Sequence, residues 1–305
     1  MSLNKQPELT VVVVSDYEAS EQKTWGDEIA MAKALAAQDI AEPFRVIIAE
    51  NETSRASPPP PELINVLPDA EIVYHPSGAS AVLKDHAVSL CETPWVAVFE
   101  ADALPEPDWL RLVTEAAREN PDYDIINGRT YYGEETSWRR ALNLLDRSFD
   151  DRGRSGESGH VSNNAALYRT ETLKKFPYPP AATPFLSSRL RLEQMKAAGL
   201  KFYFRRDALT RHAIGGVSFV NDVRRNAGFS DMKMLHDPQA ARIPGLAARR
   251  MKSEAGSALR VGGQYLKWLD WPLWSAIYFY ARIPELRGML EALRNVDELE
   301  GSAYR

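Results

Sequence analysis

The stretch PWVAVFEADALPEPDWL, Pro94 to Leu110, decides the fold. Val96, Ala97, Val98 and Phe99 form a short apolar run rich in β-formers, which suits a strand covered on both faces inside a parallel sheet. Glu100 and Asp102 follow at its carboxyl end, and two prolines then lead into a helix predicted from about Asp108 to Glu119. In open α/β sheets that edge is where ligands bind, so two carboxylates one residue apart there invite a divalent cation or a ribose. The plainer reading of an isolated acid-x-acid triplet is a solvated loop with acids near a helix start.

Outward from this stretch the same alternation repeats. LTVVVVS (residues 9–15), Phe44 to Ala49, Glu71 to Tyr74 and Tyr123 to Asn127 read as strands. Helical patterns run from Thr24 to Gln38 and from Ala79 to Leu90. Strands alternating with helices at this spacing predict βαβ units and a mostly parallel sheet with right-handed crossovers. SRASPPPPE breaks regularity, because consecutive prolines neither donate to a ladder nor continue a helix. Residues 136–159, with SFDDRGRSGESG, carry charges and glycines without a period and read as a mobile loop. Asn163 to Tyr168 and Phe202 to Phe204 return to the sheet around the helix-like RLRLEQMKAAG. Beyond Gly216 the pattern is helical, and the soft boundary falls near residue 235, giving a domain over 1–235 and a helical, aromatic-rich extension over 236–305.

Bulk composition narrows the functional classes. At 305 residues, 44% hydrophobic and 26% charged, the chain can bury a substantial core. A net charge of −5 gives no electrostatic footprint for nucleic acid. The single cysteine, Cys91, excludes an intramolecular disulfide and a cysteine-based zinc site, and suits a small buried hydrophobe in a reducing compartment. MSLNKQPELT lacks a signal-peptide pattern and no run reaches the ~20 apolar residues of a membrane span, so the expected location is the cytoplasm, with the inner face of the membrane as the place of any surface contact. Tyr265 to Tyr280 is dense in aromatics; they lie at a membrane interface, or pack on the 1–235 domain or on a second subunit, the homo-oligomer then forming through 260–290. Arg249, Arg250 and Lys252 stand near enough to meet anionic lipid.

In their order and spacing, VVVVSDY, IIAENETS, HPSGASAVLKD, FEADALPEPDWL, HVSNNAALYRTETL and KAAGLKFYFRRDALTRH resemble family 2 glycosyltransferases of the GT-A fold, over about residues 9–212. The resemblance implies an α/β, doubly wound, mostly parallel sheet flanked by helices, with a C-terminal helical arm. It also implies a UDP- or GDP-sugar donor, a saccharide or lipid-linked acceptor and transfer with inversion. A nucleoside diphosphate leaving group develops negative charge, which a divalent metal held by oxygen ligands neutralises. On this resemblance Asp102 is the metal ligand, Glu100 takes the first position of the motif and Ala101 lies between them. His212, at the family's late histidine position, is a further metal or phosphate contact, and its imidazole tilts the choice between Mg²⁺ and Mn²⁺ toward Mn²⁺. Ser15, Asp16 and Glu50 become base and ribose contacts, with Lys84 or Asp85 where the family has an Arg-Asn pair; turn or capping acidity is the plainer reading of Asp16 and Glu50. Asn163 and Asn164 lie beside the donor sugar, or form a structural pair at a strand edge.

One departure stands out. Inverting transfer needs a general base, and the family's acid pair falls here on Ser187 and Ser188, neither a credible base at neutral pH. Glu193 is the nearby carboxylate, further along the same predicted helix. Glu193 or another acid serves, or PYPPAATPF shifts the alignment, or the protein binds donor without efficient transfer. A sugar nucleotidyltransferase would need a glycine-rich phosphate loop after the first strand, and SDYEASEQKTW has no glycine.

Overall fold

A computed structural model describes residues 7–15, 24–162, 164–212, 216–235 and 243–294. Among the described residues nine strands form one sheet: β1 (Leu9–Val14), β2 (Phe44–Asn51), β3 (Glu71–His75), β4 (Trp95–Glu100), β5 (Ala103–Pro105), β6 (Ile125–Tyr131), β7 (Gly156–Ser158), β8 (Ala166–Arg169) and β9 (Phe202–His212). The helices are α1 (Gly26–Ala36), α2 (Pro61–Val66), α3 (Ser80–Ser89), α4 (Trp109–Glu119), α5 (Ser137–Leu142), α6 (Thr170–Lys175), α7 (Pro184–Ala197), α8 (Val217–Lys233), α9 (Ile243–Tyr265), α10 (Trp271–Tyr280) and α11 (Arg282–Leu293). The chain divides into two compact units, one of residues 1–130, 155–178 and 191–212, the other of 131–154, 179–190 and 213–305.

The first unit holds the sheet, in the order β3-β2-β1-β4-β8-β6-β9-β5, with β7 beside β9. β3, β2, β1 and β4 run parallel, so their carboxyl ends share one edge. β8 then runs antiparallel to both β4 and β6, which makes the sheet mixed beyond its parallel half. Every residue of β1 is buried, as a strand covered on both faces requires. The pleat sends Val11, Val13, Ala97 and Phe99 into one core with α1 and α4, and Val12, Val14, Val96 and Val98 into another with α3. α4 faces its core through Trp109, Leu112, Val113 and Ala116, a helical period, and Trp109 meets Phe99 edge-on at 4.7 Å. Cys91 is buried, and desolvation pushes its thiol up to about 11, so it behaves as an unreactive hydrophobe.

Two segments fold more than their sequence promised. The proline run ends in α2, whose first residue is Pro61: a ring-locked φ and a missing N–H cost nothing in a helix's first turn. Residues 136–159, predicted as a mobile loop, contain α5, a π-turn over Asn143–Arg147 and β7. Their apolar positions are few, but Ala141, Leu142, Leu144 and Leu145 are all buried, and the charges around them are spent on ion pairs, Arg140 with Asp270 and Asp146 with Arg224.

The second unit is helical. One core gathers Tyr132, Leu142, Val220, Val261, Trp274 and Tyr278, so part of the aromatic density of 265–280 serves packing. α8 and α11 touch backbone to backbone: a Cβ on Gly228 would run into the Glu285 carbonyl, and one on Gly288 into that of Arg225. Gly228→Ala must therefore separate the two helices, and a loss of about 1–3 kcal/mol in unfolding free energy is expected. Thermal denaturation reads it; an unchanged melting temperature would show that the contact is not tight.

Candidate active site

The acids of the opening stretch sit where the sheet topology puts them. β4 ends at Glu100, beside Val14 of β1 in parallel register, and the ladder runs on as the Ala101 amide donates to the Val14 carbonyl at 2.9 Å. The chain then turns into β5, which pairs antiparallel with the end of β9, Ala103 opposite His212. His212 is thereby held next to Asp102, Nδ1 to Oδ2 3.6 Å, and its Nε2 lies 3.9 Å from Glu100 Oε2. From the other side, the β4–β8 register pairs Val98 with Ala166, and continuing it two residues brings Asn164 opposite Glu100. The Asn164 amide donates to Glu100 Oε2 at 2.5 Å. Between Asn164 and β8, Ala165 takes φ 61°, a left-handed conformation that costs a residue with a Cβ about 1–2 kcal/mol.

One ligand atom each from Glu100, Asp102 and His212 can be chosen so that all lie within 4.8 Å of one another. Two carboxylates and an imidazole are a donor set that fits a first-row or hard divalent cation. Lys84, buried on α3, completes the rim by donating from Nζ to Glu100 Oε1 at 2.6 Å. Burial alone would raise the Glu100 carboxyl, but the Lys84 ammonium and then His212 outweigh it and hold the group well below the usual carboxylate range.

Of the other residues singled out from sequence, Ser15 and Glu50 lie at the carboxyl ends of the neighbouring parallel strands. The Ser15 amide donates to Ala49 at 3.3 Å where β1 ends. Glu50, buried near the end of β2, accepts from the Ser54 hydroxyl at 3.2 Å. Asp85 accepts from the Tyr178 amide at 2.9 Å, and burial pushes its carboxyl up against the opposing pull of that hydrogen bond and of Arg191 and Lys84. Asp16 and Asn163 lie outside the described residues. Glu193 is exposed on α7 and ion-paired with Lys196 at 3.0 Å; it is not in the cluster of Glu100, Asp102 and His212. Ser187 and Ser188 donate to the backbone carbonyls of Pro179 and Pro184.

Arg191 is the residue that sequence reasoning passed over. It is 3% exposed, its guanidinium lies 4.1 Å over the Tyr178 ring and 5.4 Å over the Tyr168 ring, and its Nε and Nη2 have no hydrogen-bond partner. The signal was faint: with Met195 it occupies the buried side of a helix whose outward positions are polar.

A mixed sheet of this order, with an acid-alanine-acid turn and a histidine at its rim, defines a GT-A type α/β protein. Residues 30–176 match the model of the family described as Glycosyl transferase family 2. A mannosyltransferase, PcManGT from Pyrobaculum calidifontis, solved with GDP-Man and Mn2+, superposes with a TM-score of 0.59 at 12% identity, covering 95% of this chain and 88% of its own. TarS 1-349 from S. aureus, solved with UDP, covers 97% of this chain and 98% of its own at 14% identity, with a TM-score of 0.49. At these identities the likeness is one of fold, and it is carried here by PcManGT. No curated protein matches the chain. No described helix is long and apolar enough to cross a membrane.

Proposed function

We propose that the chain transfers a sugar from a UDP- or GDP-linked donor to a saccharide or lipid-linked acceptor, with inversion, the catalytic domain occupying 1–235 and the helices of 236–305 forming an extension. The observation that carries this reading is the convergence of Glu100, Asp102 and His212 at the carboxyl end of β4. When bound there, Mn²⁺ or Mg²⁺ would neutralise the charge that develops on the departing diphosphate. Asp102 and His212 would hold the ion. Glu100, already engaged by Lys84 and Asn164, would orient the ribose or an ion-bound water while keeping Asn164 turned toward the donor sugar. Ser15, Asp16 and Glu50, at and just past the ends of β1 and β2, would contact the nucleoside, together with Lys84 or Asp85, and Asn163 would lie beside the sugar. Arg191, a buried cation that lies with Lys84 over the Tyr178 ring and has no hydrogen-bond partner at two of its nitrogens, suits an anionic part of the donor. A single buried thiol fits a cytoplasmic site of action.

A second reading, donor binding with little transfer, draws on the outward-facing Glu193. A base must come within about 2.6–3.2 Å of the proton it takes, and a solvated carboxylate paired with a helix neighbour is poorly set for that. One experiment separates the readings: nucleoside diphosphate released from UDP- and GDP-sugars with acceptor mixtures, with Mn²⁺ or with chelator, for the wild type and Glu193→Gln. Mn²⁺-dependent release by both proteins supports transfer with a base other than Glu193. Release by the wild type alone makes Glu193 the base. Metal-dependent donor binding without release supports the second reading, and no metal-dependent binding sinks both.

A further inference from the structure

The four carboxylates among the described residues from Ile243 to Arg294 are all withdrawn from solvent. Glu254 and Glu285 pair with Arg224 and Arg282, Asp270 with Arg140, and Glu291 with Arg225 and Arg287. Among the described residues from Ile243 to Arg294, the exposed charges are cations only: Arg249, Lys252, Arg260, Lys267, Arg287 and Arg294. This in a chain whose net charge is −5. Large apolar side chains stand among them: Leu259 is 89% exposed, Trp268 79%, Ile283 65% and Phe279 61%, with Leu269, Leu286 and Leu290 also open.

Periodicity orders these residues. Arg249, Lys252, Gly256, Leu259 and Gly263 recur at three- and four-residue steps along the open side of α9, opposite the buried Ala258, Val261 and Tyr265. Ile283, Leu286 and Leu290 do the same on α11, flanked by Arg287 and Arg294, while Glu285, Gly288 and Met289 face inward. Lone exposed leucines are ordinary on any surface; apolar stripes and a tryptophan rimmed by cations alone are not.

We propose that these helices dock on an anionic lipid surface, with Phe279, Ile283, Leu286, Leu290, Trp268 and Leu269 entering the headgroup layer and the cations meeting lipid phosphates. Trp and long apolar side chains favour that boundary, and each Lys or Arg near it adds electrostatic attraction. A second copy fits less well, since an isologous contact would set this cationic surface against itself. The proposal goes beyond glycosyl transfer and stands without it.

The test is co-sedimentation of the full chain with vesicles of phosphatidylcholine alone and with vesicles in which about a third of the lipid is phosphatidylglycerol. The wild type is expected on the anionic vesicles, at least about tenfold more tightly than on the neutral ones, and to be released by salt. Lys267→Ser and Arg287→Ser should each weaken binding by about fivefold. Phe279→Ser with Ile283→Ser should weaken it by more than about tenfold. These positions are exposed, so the variants keep the wild-type melting temperature. Failure to bind anionic vesicles, or equal binding to both compositions, overturns the proposal, and neither outcome depends on a variant folding. A dimer seen by light scattering and dissolved by the Phe279 and Ile283 changes overturns it in favour of a second copy. Loss of donor turnover with vesicle binding intact would touch only the reading of the first unit.

Discussion

Arg224→Met is expected to lower the free energy of unfolding by about 3–5 kcal/mol, enough to leave the second unit barely folded. Arg224 is buried on α8 and its guanidinium reaches Asp146, Glu254 at 2.5 Å and Glu285 at 2.9 Å, and donates to the Leu145 carbonyl at 3.0 Å. Burial opposes its charge, but the surrounding carboxylates outweigh that and hold the guanidinium's proton more firmly than usual. The penalty falls unevenly. Glu254 keeps Arg282, and Glu285 keeps Arg250 and Arg282, whereas Asp146 loses the cation it pairs with among the described residues. Adding Asp146→Leu to Arg224→Met should therefore recover about 1–3 kcal/mol, because an apolar pair replaces a stranded buried charge. Chemical denaturation of both variants reads the difference; equal stabilities would mean that Asp146 is not the stranded group.

Asp102→Asn is expected to weaken Mn²⁺-dependent binding of a UDP- or GDP-sugar by about 100-fold or more, on the scale of losses at metal sites. The substitution keeps the volume of a side chain held at the β4–β5 turn, so the sheet should persist while one anionic donor beside His212 becomes neutral. Titration calorimetry with the ion present and chelated separates ion-mediated from direct binding. The variant should show the same weak affinity under both conditions. Affinity equal to the wild type in Mn²⁺ would remove Asp102 from the role assigned to it.

How legible was this in the sequence? Wherever one element carries a full period, well: VVVV of β1, WVAVF of β4 and the Trp109–Val113–Ala116 face of α4 are formed as read. Three-residue strands leave no period, so β5 and β7 were invisible, and with them the reason that β9 extends over eleven residues. Four buried apolar residues among charges hid the helix of 137–142 and its π-turn. At the site, Glu100 and Asp102 could be placed by position alone, whereas His212 needed the family likeness and its setting needed the β5–β9 pairing. Contacts made across the fold were out of reach: nothing local in KDHAV says that Lys84 will meet Glu100, nor in RLRLE that Arg191 will lie on two tyrosines.

The Lys84–Glu100 pair has its own consequence. Acids crowded at a strand terminus would ordinarily repel one another until an ion arrived, and the loop would wait, splayed, for its occupant. Here an ammonium from a neighbouring helix acts as a resident counterweight. The rim can keep its shape by itself, and a cation bound as proposed would find the geometry ready rather than having to impose it.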